Sequence, residues 1–358
     1  MSAPVVYLAI TNHGFGHAVR IATVAAKLKQ INPEIVLIIA TTAPRWLLES
    51  YIAADFIHRV RGFDVGVIQS DSLHMDLSAT KEKLQEIERN QQQTIASEAN
   101  FLQTNRVKLV LGDIPPLVVP IAKAAGIPCW MMSNFGWDFI YQAWGDSFQS
   151  TVHWIQNCYS QTDLLFRLPL HEPMTSFPLI TDVGLTGGDP RYSLSYLQEE
   201  FNLTEPVERT ILLTFGGLGL EAIPYHNLEY FPNWQFITFD AKAPKLPNLC
   251  CISDYKYRPV DFMPLCGRVV SKPGYSTFAE AIRLAIPIVS LTRSGFAEAP
   301  VLLEGIQDYS QHQIIESQEF FQGKWQFLQD EPLPPRQKEQ LLKNGSEVIA
   351  QTILKELE

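Results

Sequence analysis

Two histidines bracket a glycine-rich turn, Thr11-Asn12-His13-Gly14-Phe15-Gly16-His17. An imidazole held at such a turn is a candidate proton acceptor near neutral pH. A short β-branched apolar run, Val5 to Ile10, precedes the turn, and Ala18, Ile21, Ala22, Ala25 and Leu28 follow it at helical spacing. The first N–H groups of that helix lack intrahelical partners, and its dipole is positive at this end. The turn therefore suits an anion or polar ligand and disfavours an imidazolium, so His17 is read as a neutral ring free to take a proton. His13 is its possible substitute. Asp113 ends another apolar strand, at the edge where doubly wound sheets keep their sites, and is the rival base. Arg20, one turn beyond His17, is read as facing outward, to close a cleft or pair locally.

A second turn lies far along the chain: Ser271-Lys272-Pro273-Gly274-Tyr275-Ser276-Thr277, continuing into Phe278-Ala279-Glu280-Ala281. A strand ends at Ser271, Gly274 allows close approach, and Ser276 and Thr277 open a helix with their N–H groups and hydroxyls. Chemically this is a diphosphate cradle. Lys272 adds positive charge, and the Glu280 carboxylate, one turn in, suits a ribose diol. A helix cap with Glu280 as its third-position partner is the plainer alternative.

Other chemistries fail on spacing. Gly14 and Gly16 lack the third glycine of a dinucleotide fingerprint, Val19 standing in its place, and no acidic residue ends the next strand. No P-loop and no Gly-x-Ser-x-Gly elbow occurs. No His/Cys set has zinc spacing and no Asp-x-Asp pair is present, so neither metal nor cofactor is expected. Five cysteines, two of them adjacent, do not form a disulfide framework. A net charge of −10 argues against nucleic-acid binding, and no apolar run is long enough to span a bilayer. With no basic leader at the N-terminus, the expectation is a cytoplasmic protein, with peripheral membrane contact left open.

The elements that must position these turns alternate. Glu34 to Thr41, Phe56 to Val60, Ile127 to Ser133 and Leu164 to Leu168 read as further strands. Ser78 to Asn105 reads as a long polar helix with a thin stripe of Leu84, Ile87 and Ile95, and Trp137 to Ser160 as one long helix. Residues 1–168 thus form one α/β unit. Pro169 to Arg191, rich in proline and glycine, reads as a linker. Alternation resumes over 192–335, where Arg209 to Phe215 is again a strand followed by glycines. A last helix is expected over 336–358, with packing back on the first unit as one option.

The turn Gly14-Phe15-Gly16-His17-Ala18-Val19-Arg20, paired with Gly274-Tyr275-Ser276-Thr277-Phe278-Ala279-Glu280-Ala281, resembles the GT-B glycosyltransferases. The similarity is to the group with monogalactosyldiacylglycerol synthase and the N-acetylglucosaminyltransferase of peptidoglycan synthesis. Closer still is the glycosyltransferase-like N-terminal domain of plant L-arabinokinase, through Asn134-Phe135-x-Trp137-Asp138-Phe139-Ile140-Tyr141, Phe166-Arg167-Leu168-Pro169 and Phe215-Gly216-Gly217. The kinase half of that enzyme has no counterpart in this sequence, so kinase activity is not expected to carry over.

The resemblance implies an α/β fold of two Rossmann-like domains facing across a cleft. It implies a nucleoside-diphosphate sugar, UDP favoured, held by Gly274, Tyr275, Ser276 and Thr277, with Glu280 at the ribose, Lys272 nearby and Gly216 and Gly217 as the floor opposite. The nucleobase would pack near Tyr255 to Tyr257, and Glu298 would read donor-sugar hydroxyls. Gly14, Phe15, Gly16 and Arg20 then form the acceptor-side wall with Asn134, Trp137 and Asp138. The aromatics Phe135, Trp137, Phe139, Tyr141 and Trp144 are a candidate acceptor platform. Retaining members often carry two glutamates eight apart; Glu298 and Glu304 are six apart, which favours inversion. The activity expected is sugar transfer to an unidentified hydroxyl. A non-catalytic sugar-nucleotide binding module and a GT-B nucleotide-sugar epimerase remain as alternatives.

Overall fold

The computed structural model describes residues 3–70, 73–217, 219–220 and 222–358. Strands β1 (Val5–Ile10), β2 (Val36–Ala40), β3 (Ile57–Arg59), β4 (Val107–Asp113), β5 (Cys129–Ser133), β6 (Leu164–Arg167) and β7 (Ile180–Asp182) make one parallel sheet, ordered β3-β2-β1-β4-β5-β6-β7. Strands β8 (Thr210–Leu213), β9 (Gln235–Thr238), β10 (Leu249–Cys251), β11 (Arg268–Ser271), β12 (Ile288–Leu291) and β13 (His312–Ile315) make a second, ordered β10-β9-β8-β11-β12-β13. Each sheet reverses direction of growth beside its first strand, and each crevice at that reversal is a ligand position. The central strands β1, β2, β8 and β12 are almost wholly apolar, because parallel sheets are covered on both faces, while the edge strands β3 and β7 carry polar residues.

Around the first sheet pack α1 (Gly16–Ile31), α2 (Arg45–Glu49), α3 (Leu77–Thr104), α4 (Val118–Ala125), α5 (Trp137–Gln142) and α6 (Gln149–Tyr159). The second carries α7 (Leu194–Glu200), α8 (Pro259–Phe262), α9 (Tyr275–Leu284), α10 (Glu298–Tyr309) and α11 (Ser317–Gln322), and α12 (Gly345–Glu356) follows. One continuous apolar cluster links the domains, running from Val6, Ile21 and Leu47 to Tyr275, Phe278 and Ile353.

Three elements differ from the sequence reading. The helix expected over Trp137 to Ser160 is two helices, because Gly145 adopts φ +85° and a 3₁₀ turn, Asp146–Phe148, intervenes. The presumed linker contributes β7, a three-residue strand too short to show alternation among its prolines. The final helix starts at Gly345, not Arg336. Before it the chain is irregular, with Arg336 paired to Glu304 and Asp308 and the Leu342 carbonyl accepting from Leu185 N–H at 2.7 Å. Helix α12 then lies on α1 of the first domain, where Ser346 and Thr23 share a hydroxyl hydrogen bond of 2.9 Å.

Candidate functional site

Helix α1 begins where β1 ends, and its first turn brings His17 beneath the tip of β4. His17 Nδ1 lies 3.0 Å from Asp113 Oδ1, and both side chains are buried. Arg20, one turn later, points inward onto the same carboxylate: Nε donates to Oδ2 and Nη2 to Oδ1, each at 2.5 Å. Its remaining donors reach Asn134 Oδ1 at 2.7 Å and Ser133 Oγ at 2.9 Å. The outward-facing Arg20 of the sequence reading is thus corrected. At 2% exposure it is a core residue, drawn in because a buried Asp113 needs a counter-charge.

Burial alone would raise the Asp113 carboxyl, but the charges and hydrogen bonds of Arg20 and His17 outweigh it and hold it below the usual carboxylate range. Burial lowers His17; Asp113 opposes this and Arg20 adds to it, leaving the imidazole below its ordinary value. Burial is the first cause that favours the neutral ring. Asp113, expected as a rival base, is a hydrogen-bond partner of His17. His13 is lowered further, by burial, His17, Arg293 and Lys272 in turn. Its ring stacks on Phe296, with centroids 5.6 Å apart and an interplanar angle of 22°.

The second domain presents its own turn to this one. Ser276 Oγ donates to the Gly16 carbonyl at 2.7 Å, so the openings of α9 and α1 face each other. Gly217 meets the Phe15 ring so closely that a Cβ there would overlap it. A cavity of about 110 Å³ between them is lined by Gly14, Gly16, His17, Gly216, Lys272, Gly274 and Thr277, among others. Lys272 is half-buried, and burial followed by the charge of Arg293 pulls its ammonium down to about 8. Glu298 opens α10 at the cavity edge, and its Oε1 accepts from Asn134 Nδ2 at 2.8 Å, across the domains.

Other expected residues lie elsewhere. Glu280 sits one turn deeper than Ser276, on the face of α9 turned toward the first domain. Its Oε1 accepts from Gly188 N–H at 3.0 Å and from the Tyr51 hydroxyl at 3.2 Å, and it does not line the cavity. The carboxylate expected at a ribose is here engaged by Tyr51 and Gly188. Trp46 stacks on Tyr255 with centroids 4.3 Å apart, over the segment expected to meet a nucleobase. Tyr51 and Trp46 thus both bridge from the first domain to the second.

Trp137 is fully buried and Phe135 and Tyr141 nearly so, so these three rings of the expected platform are core, while Phe139 and Trp144 are partly exposed. The Trp137 indole donates to Thr11 Oγ1 at 2.8 Å and braces the turn from behind. Asp138 is buried against the Ser176 hydroxyl at 2.5 Å, also outside the cleft. Tyr275 is 4% exposed and lies beneath Arg20, its ring centroid 5.3 Å from the guanidinium carbon.

Three residues at or near the cleft escaped the sequence reading. Arg293 follows β12 at the same strand edge that singled out Asp113, so that rule should have found it. Tyr51 and Trp46, at the end and start of α2, carry no sequence signal. Among the described residues no group of three or more His, Cys, Asp or Glu is arranged to hold a metal ion, and no helix is long and apolar enough to cross a membrane.

Two Rossmann-like sheets with facing glycine turns define the GT-B architecture, and solved structures agree. The glycosyltransferase of kitacinnamycin superposes with TM-score 0.62 at 12% identity, covering 99% of this chain and 100% of that one. Medicago truncatula UGT71G1 complexed with UDP-glucose gives 0.62 at 13%, covering 98% and 97%. Phytolacca americana UGT2, complexed with UDP-2fluoro-glucose and pterostilbene, gives 0.63 at 12%, covering 99% and 100%. In sequence, the chain is 28% identical over 331 residues to L-arabinokinase of Arabidopsis thaliana, spanning 88% of this chain and 31% of that protein. No family model matches the chain.

Proposed function

We propose that this chain is an inverting, metal-independent glycosyltransferase that takes a sugar from a nucleoside diphosphate, UDP favoured, and passes it to a hydroxyl. The observation that carries the reading is the buried His17–Asp113 pair, set opposite the opening of α9 by the Ser276–Gly16 contact. With Nδ1–H held by Asp113, His17 Nε2 accepts the proton of the acceptor hydroxyl. The acceptor oxygen attacks the anomeric carbon as the bond to the diphosphate oxygen breaks. Negative charge gathers on the leaving diphosphate, where Lys272, Arg293 and the first N–H groups of α9 balance it. Similarity to structures complexed with UDP and UDP-sugars supports the choice of donor.

A non-catalytic sugar-nucleotide binding module is the second reading, favoured by one contact. Arg20 Nη2 lies 2.8 Å from His17 Nδ1; if Arg20 donates there, the ring proton sits on Nε2, which then has no lone pair to accept with. Nucleoside-diphosphate release from UDP-, GDP-, ADP- and TDP-sugars, with and without acceptors, separates the two. The transferase reading expects release that falls about 10²- to 10⁴-fold in His17→Ala. Binding without release, unchanged in that variant, overturns it.

A further inference from the structure

A second cavity lies beside the cleft, not within it. It measures about 740 Å³ and is roofed by the middle of α3. That helix is fastened at its ends, by Thr80 and Leu84 near one and by Glu98, Ala99 and Leu102 near the other. Between these anchors, Lys83, Ile87, Asn90 and Thr94 recur at helical spacing on the face turned to the domain. A helix stripe that faces a protein body is ordinarily apolar and packed. This one is mostly polar, and the space beneath it is unfilled.

The opposite wall comes from strand ends: Asn12, Thr42 and Asp64 line it. Asp64 is buried, accepting from Asn12 N–H at 2.7 Å and from the Thr11 hydroxyl. The cavity shares His13, Gly14 and Gln69 with the small cavity in front of His17, so the two adjoin at the catalytic turn.

We propose that this cavity is the acceptor subsite and that its occupant is a neutral, hydroxyl-rich molecule of the free-sugar or polyol class. The proposal rests on the glycosyltransferase reading for its role and on the cavity's own chemistry for its ligand. A volume of this size suits a small ligand. Amide and hydroxyl groups on both walls match a molecule that presents hydroxyls all round. Charge is matched too: Lys83, the one Lys or Arg lining the cavity among the described residues, pairs with Glu86 at 2.7 Å on the rim. A flat aromatic acceptor finds little to stack on. Phe63 is 2% exposed, and of the rings expected to receive an acceptor Phe135, Trp137 and Tyr141 are core.

The test is saturation-transfer NMR on the full chain, with glucose, galactose, arabinose and myo-inositol each at about 10 mM and pterostilbene as the aromatic probe. Asn90→Leu and Thr94→Ile fill the roof from an exposed helix, and the thermal shift by UDP serves as their folding control. Transfer to at least one sugar or polyol, weakened about fivefold or more in both variants while the UDP response persists, is the expected result. Sugar binding indifferent to both substitutions overturns the proposal, as does binding of pterostilbene alone or of no probe. Failure of UDP to bind the parent chain counts against the glycosyltransferase reading instead, and the sugar arm still decides this one.

Discussion

The Arg20 guanidinium grips both oxygens of Asp113, each at 2.5 Å, and so shares with His17 the one carboxylate that orients it. Asp113 therefore stabilises less of the imidazolium that forms during proton transfer than an unshared carboxylate would. Arg20 also lowers His17 through its own charge.

Replacing Arg20 by Met removes that lowering influence. The acidic limb of the kcat/KM profile, set by the free base, then moves to higher pH. Because Asp113 loses its counter-charge, the variant is also destabilised, by about 3–5 kcal/mol. Urea unfolding and a pH–rate profile check both effects. A limb that stays in place would mean that Arg20 does not act on His17.

Trp46 of the first domain stacks on Tyr255 of the second, and the cavity between the facing turns measures about 110 Å³, small for a nucleotide sugar. Such a stack is worth about 0.5–1.5 kcal/mol, so Trp46→Ala should tighten UDP binding about 2- to 12-fold by populating the open form. Calorimetric titration measures it. Equal affinity in the variant would show that the stack does not oppose the ligand.

Glu280 is raised from 4.5 to about 7, by burial first, with Gly188, Arg258 and Tyr51 opposing. A raised carboxyl binds its proton more tightly when folded. Its contribution is thus greatest below about pH 4.5 and is lost as pH rises through about 7. In Glu280→Gln that decline disappears, so the stability difference between variant and parent should grow by up to about 3 kcal/mol across this window. Asp64, raised from 3.8 to about 7 by its burial, adds a parallel decline that remains in the variant. Denaturant melts at several pH values give the difference.

Gly217 lies against the Phe15 ring, which in turn packs edge-on to Trp46 at 5.6 Å. A methyl at Gly217 forces the ring aside, at about 1–3 kcal/mol. Gly217→Ala should lower the melting temperature, and Phe15→Ala in the same chain should recover part of the loss. Losses that simply add would place the strain elsewhere.

Local patterns carried much of this protein. Apolar runs separated by turns identify two parallel α/β units, because a strand buried on both faces must be apolar throughout. The strand–turn–helix junctions at His17 and Gly274, and Asp113 at a strand edge, were legible for the same reason: their type and spacing are sequence properties. What no local pattern encodes is which side chains meet. The inward turn of Arg20 was set by a carboxylate 93 residues away. The capture of Glu280 by Tyr51, 229 residues distant, was set by the docking of the domains. The unfilled space beneath α3 depends on how that helix is anchored at its two ends. Sequence supplies the groups and their local geometry. Burial and long-range charge pairing, which exist only once the chain has packed, decided which of them share the cleft.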